Sequence, residues 1–167
     1  MGAEQLANGN PLLDKRFINA FVEGVIKTLS MMASTEVTVG KPSIDSQFKA
    51  KGDVAGMIGM IAGSLKGTMS ISFQKESIFY IIDNMLGEKH TEVSQGVLDC
   101  VGELTNQIYG SAKTTLNQMG YAFDMAIPSV IHGTFVISKH HNGATLVIPF
   151  TSKDGSSFYI DITVASV

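Results

Sequence analysis

Glu103 and Asn106 are the two side chains of this sequence best placed to act together. On a helix, positions three apart lie roughly 60° apart around the axis and about 4.5 Å along it, so one partner can meet both. A carboxylate can pair with a cation, and a carboxamide can both donate to and accept from a water molecule. Taken alone, an E-x-x-N spacing is also what a solvated helix face carries. Other candidate chemistry is sparse. The histidines are His90, His132 and the adjacent His140 and His141, which fall in an HHNG hairpin turn and read as solvated. Cys100 reads as a buried thiol with no activating base to be placed beside it. Asp99 lies more than a turn before Asn106 and reads as solvating, whereas Asp14, Asp45, Asp53 and Asp154 have the look of helix-start and turn residues. The sequence has no G-x-x-x-x-G-K-[ST], G-x-G-x-x-G, H-E-x-x-H or G-x-S-x-G.

The element that must position the pair runs from Ser94 to Gly120 and has the periodicity of one long helix. Val97, Val101, Leu104, Ile108, Ala112 and Thr115 form a stripe that can bury against a sheet. Glu103, Asn106, Gly110, Lys113 and Asn117 fall on the opposite side. Gly110 costs an exposed helix about 0.5–1 kcal/mol relative to Ala, so it asks for a reason: a bare backbone lets another molecule approach.

The chain has 167 residues, enough for a single core, and the expectation is one domain over 10–167 behind a frayed tail at 1–9. With one cysteine, neither an internal disulfide nor a cysteine metal cluster can form, and a cytoplasmic location is the default. No run of residues is long and apolar enough to span a bilayer, and the first residues lack the features of a secretory signal, so no membrane association is expected. Net charge is −3 and the twelve Lys and Arg are scattered, which gives no footprint for nucleic acid.

Asn10 followed by Pro11 predicts a sharp helix start, with the helix running to about Met32 on a stripe of Phe17, Phe21, Val25 and Leu29. A short strand with a bend at Gly40-Lys41-Pro42 and a polar loop follow. Alternation on either side of Gly63-Ser64 predicts a hairpin over 54–73, and glycines at 56, 59, 63 and 67 suggest bulges or close approach of another element. KESIFYIIDNMLG predicts a helix ending at Gly87. After the long helix, AIPSVI, GTFVISK, ATLVIPFTS and SFYIDITVA read as four strands. The sum is an α+β fold, an antiparallel sheet with helices packed over one face. A faint internal echo, a helix and then Pro-Ser-apolar, recurs at an offset of 86 by the prolines or 87 by the helix ends, and only its second copy carries the acid and amide.

The order of parts is more telling than any one of them. FINAFVEGVIKTLSMMASTEVTVGKPSI, the glycine-rich hairpin, the short helix ending MLGE, and VLDCVGELTNQIYGSAKTTL before IPSVIHG together resemble the CheX branch of the CheC/CheX/FliY chemotaxis phosphatases, from about Asn10 to the end. The resemblance implies dephosphorylation of phospho-CheY, a response regulator phosphorylated on aspartate. It implies that Asn106 orients the attacking water and that Glu103 pairs with the regulator's lysine, with Gly110 and Lys113 at the docking surface. It also implies that Mg²⁺ arrives with the regulator, with no cofactor of the chain's own, and that the protein is a homodimer. The alternative is a module of the same fold that binds and sequesters a regulator without catalysis.

Overall fold

Two caps in succession start the first helical stretch. Asn10 Oδ1 accepts from the Leu12 N–H at 3.0 Å and opens a single 3-10 turn, Pro11–Leu13. Asp14, in an extended conformation, then caps α1 (Lys15–Ala33), its Oδ1 accepting from the Arg16 N–H at 2.9 Å. The single helix expected from Pro11 is therefore broken at the second cap. The structure, a computed structural model, describes residues 10–137 and 144–166; the expected tail at 1–9 and the HHNG turn with His140 and His141 lie outside the described residues.

Downstream, the expected strand around the Gly40-Lys41-Pro42 bend is two short ones, β1 (Val37–Val39) and β2 (Ser43–Asp45). The hairpin turns at Gly63-Ser64 as its alternation requires, joining β3 (Ala50–Ala62) to β4 (Leu65–Phe73). β3 begins at Ala50, inside the expected polar loop, because Ala50, Lys51 and Gly52 pair with a later strand across an irregularity between Gly52 and Val54. α2 (Lys75–Leu86) stops at Gly87, whose φ of 73° makes the expected left-handed cap. α3 (Gln95–Gln118) is the long helix, with Ser94 as its N-cap. Three strands follow it: β5 (Ser129–Ile137), β6 (Thr145–Ser152) and β7 (Ser157–Ser166). AIPSVI and GTFVISK were expected as separate strands. They are continuous from Ser129, with Gly133 at a φ of 97° absorbing the distortion while the pairing to β3 holds the ladder together.

All pairings are antiparallel, in the order β1-β6-β7-β4-β3-β5, with β2 also on β6. One face carries apolar rows running across the sheet. Val54, Phe73, Phe158 and Phe150 stand opposite one another in register, as do Ile58, Met69, Ile162 and Leu146. These rows and the apolar faces of the three helices form one buried cluster. The strand order also carries the sequence echo: β2 on β6–β7 at one side answers β5 on β3–β4 at the other, and β4 and β7 meet at the centre. Pro42-Ser43 and Pro128-Ser129 lead into the corresponding strands β2 and β5.

Two close approaches fix the height and lateral position of α3. A Cβ on Gly56 of β3 would run into the Thr105 hydroxyl and lie 2.8 Å from Thr105 Cβ, so only a bare backbone lets the helix settle on the sheet there. A Cβ on Gly24 of α1 would lie 3.1 Å from the Ile108 carbonyl, so α1 also packs backbone against backbone on α3. Thr105 is fully buried and its hydroxyl donates to the Val101 carbonyl at 2.7 Å.

The segment that leaves α3 is irregular but held. The Asn117 amide accepts from the Ala122 and Phe123 N–H groups at 3.2 and 2.7 Å and donates to the Phe123 carbonyl at 3.1 Å. The Tyr109 hydroxyl donates to the Asp124 carbonyl at 2.6 Å, and the Asp124 N–H donates to Ile61 at the end of β3. Asn117, expected on the open face, is thus spent on bracing. The brace holds Ala122 at a φ of 80°, a conformation that costs an L-residue about 1–2 kcal/mol.

Two outcomes follow for stability, both read from urea unfolding. Gly56→Ala lowers stability by about 1–3 kcal/mol through overpacking, and Thr105→Ala in the same chain recovers part of the loss; an unchanged midpoint in Gly56→Ala refutes the close approach. Ala122→Gly raises stability by about 0.5–1 kcal/mol by removing strain in excess of the entropy that Gly adds to the unfolded chain, and a loss would show that the strain is absent.

Candidate functional site

α3 turns one face to the core and one to solvent, as its periodicity requires. Val97, Val101, Leu104, Ile108 and Ala112 are fully buried, and Thr105, Tyr109 and Leu116 widen the buried face beyond the expected stripe. Thr115, expected at the core, is only half-buried: it sits at the rim towards α1, its hydroxyl over the Ser111 carbonyl.

Glu103 and Asn106 are both exposed, one turn apart on the outer face. Gln107 Nε2 donates to Glu103 Oε1 at 3.1 Å, so the carboxylate is held from one side by a residue one turn on. Gln107 was absent from the sequence reading, although its i,i+4 spacing from Glu103 was the available signal. Among the described residues nothing bonds to the Asn106 amide, which leaves both its donor and its acceptor for an outside group. Asp99, upstream, accepts from Gln95 Nε2 at 2.8 Å and takes no part with the pair.

Gly110 comes one turn after Asn106. Among the described residues a Cβ there would meet nothing within 4 Å, so no described contact requires the glycine. Lys113 is half-exposed and shares with Asn106, Gly110 and Met125 a hollow of about 280 Å³. A second hollow, of about 430 Å³, opens on the α1 side between Lys27, Met31 and Gly110. The structure thus brings Glu103, Asn106, Gly110 and Lys113 onto one continuous face and takes Asn117 away from it.

Burial pushes the Cys100 thiol up, with the charges of Asp99 and Glu103 adding to it, so the thiol remains protonated and makes a poor nucleophile, as expected. Burial, and then the charge of Asp124, pushes Tyr109 up to about 12, which keeps its hydroxyl a donor to the Asp124 carbonyl. His90 is tied to Asp83 at 2.9 Å and His132 lies on β5 in register with Val54. Among the described residues no group of three or more His, Cys, Asp or Glu could hold a metal ion. No described helix is long and apolar enough to cross a membrane.

Comparison with known proteins bears on the whole arrangement. The CheY-P phosphatase CheX of Thermotoga maritima is 26% identical over 155 residues, covering 92% of this chain and 99% of that protein. The crystal structure of the chemotaxis protein CheX from Vibrio vulnificus is 37% identical and superimposes with a TM-score of 0.82 over 89% of this chain and 99% of that one. A CheX from Borrelia burgdorferi, solved as a complex with CheY, BeF3 and Mg²⁺, shares the fold at 24% identity, with a TM-score of 0.76 over 90% of this chain and 98% of that one. The model of the chemotaxis phosphatase CheX family matches residues 54–151, more than half of the chain and the stretch that contains Gly56, Glu103 and Asn106, and this chain belongs to that family.

Proposed function

We propose that this protein hydrolyses the aspartyl phosphate of a CheY-type response regulator and so ends a chemotaxis signal, with Asn106 and Glu103 as its working groups. The observation that carries the assignment of residues is the exposed amide of Asn106, free of described partners, one turn from a carboxylate that Gln107 holds in place. Hydrolysis needs a water oxygen to bond to phosphorus as the bond from phosphorus to the aspartyl oxygen breaks, releasing inorganic phosphate and a free carboxylate. Little covalent work falls to the protein in such a reaction; orientation of the water and neutralisation of charge dominate. Mg²⁺ and a lysine come with the regulator. Asn106 accepts a hydrogen bond from the water and aims its lone pair at phosphorus, while Glu103 pairs with the lysine and sets the docking angle. Neither residue is a nucleophile. Support comes from family membership, from the activity of the Thermotoga protein and from the CheY complex formed by the Borrelia one.

The protein also acts as a homodimer in this reading, through β5. Among the described strands β5 is an edge of nine residues, paired only to β3, whereas β1 and β2 at the other side have three residues each. A long edge with open N–H and C=O groups invites a second copy, and β5 carries the exposed Val136.

Decay of radiolabelled phospho-CheY tests the first reading. The wild type hastens it, Asn106→Ala loses about 10²–10⁴-fold of the acceleration, and Glu103→Ala weakens it mainly through the apparent KM. If binding persists in the wild type without acceleration, the chain is a sequestering module. Light scattering at micromolar concentration tests the second: the mass of two chains is expected, and Val136→Lys shifts it towards one. A single-chain mass for the wild type rules the dimer out.

A further inference from the structure

Met31 and Met125 stand on either side of Gly110, 74% and 86% exposed, one on α1 and the other on the braced segment after α3. We propose that these two methionines, with the bare backbone of Gly110 between them, form the docking groove for the regulator, gripping an apolar surface that borders its phosphoryl site. The proposal rests on the phosphatase reading and specifies how the partner is held.

Three observations carry it. The first is continuity: Gln107, Gly110 and Thr114 line both hollows, so the two are one saddle, and Asn106 is at its rim beside Met125. A partner placed over the Asn106 amide therefore meets the saddle that both methionines border. The second is construction. Met125 owes its position to a segment that keeps Ala122 in a strained conformation under the Asn117 amide, and such strain persists where surrounding structure enforces it. The helix meanwhile tolerates a glycine that no contact among the described residues requires. The third is charge. The residues lining the saddle include Lys27 and Lys113 and no acid, in a chain of net charge −3. That suits a partner bearing a phosphoryl dianion, while Glu103 at the other end meets a cation. Methionine is suited to the contact because its flexible thioether adapts to a partner's surface.

The test is a Met31→Ser/Met125→Ser double variant, both sites being exposed enough for the fold to persist, with Leu13→Ser, in the 3-10 turn that precedes α1, as the control. Steady-state decay of phospho-CheY is expected to show KM raised about tenfold or more with kcat little changed, and Leu13→Ser to behave as wild type. Unchanged KM in the double variant, while Asn106→Ala abolishes acceleration, overturns the groove and leaves the phosphatase standing. If the wild type does not hasten decay, the phosphatase reading fails, and titration calorimetry with CheY still decides the groove. A Kd weakened in the double variant supports it; an equal Kd, or no binding by the wild type, overturns it. A fall in mass to one chain in the double variant, with KM unchanged, assigns the methionines to a second copy and also overturns the proposal.

Discussion

The approach of α3 to its neighbours at two bare backbones is the constraint on which the rest of the structure depends. Gly56 lets the helix down onto the sheet at Thr105, and Gly24 lets α1 in against Ile108 and Ala112. Thr105 is one residue before Asn106 and two after Glu103. The proposed functional pair is therefore referenced to the sheet through the buried residue lying between its members. A side chain held on a helix seated in this way has little freedom beyond its own rotamers, which is what a group that must aim a water molecule needs.

The outer face of α3 changes character along its length. At Glu103 it offers a carboxylate steadied by Gln107, at Asn106 an amide with open hydrogen-bonding capacity, at Gly110 bare backbone, and at Lys113 a cation. A regulator presenting a lysine and a phosphoryl group would meet these in sequence. Such matching fixes orientation more than it adds affinity. Under the proposed docking the affinity comes from apolar contact, which the exposed thioethers of Met31 and Met125 beside the helix supply.

The palindromic strand order gives the architecture its economy. Two comparable sets of strands meet at β4 and β7, which places the most interior strands at the centre of the sheet and leaves a long strand, β5, at one edge. Only the second half carries the acid and amide. Under the offset of 86 the positions on α1 that answer them are Phe17 and Ala20, which are buried, and under 87 they are Arg16 and Asn19, which are exposed; neither pair is an acid with an amide.

Much of this was legible in the sequence, because periodicity and caps are local. The stripe from Val97 to Ala112, the Gly63-Ser64 hairpin, the Gly87 cap and the outward placement of Glu103, Asn106, Gly110 and Lys113 depend on chain geometry over one or two turns. Other features needed the assembled fold. Ala50–Gly52 is strand only because β5 lies beside it, and AIPSVI joins GTFVISK because β3 offers one continuous ladder. Asn117 reads from spacing as surface, and becomes a brace only once the chain turns back over the end of α3. Met31 and Met125 are 94 positions apart, and no local pattern relates them. They flank the same glycine because α1 packs against α3 and the segment after α3 folds back beside it, and packing between elements distant in sequence is decided by tertiary structure alone.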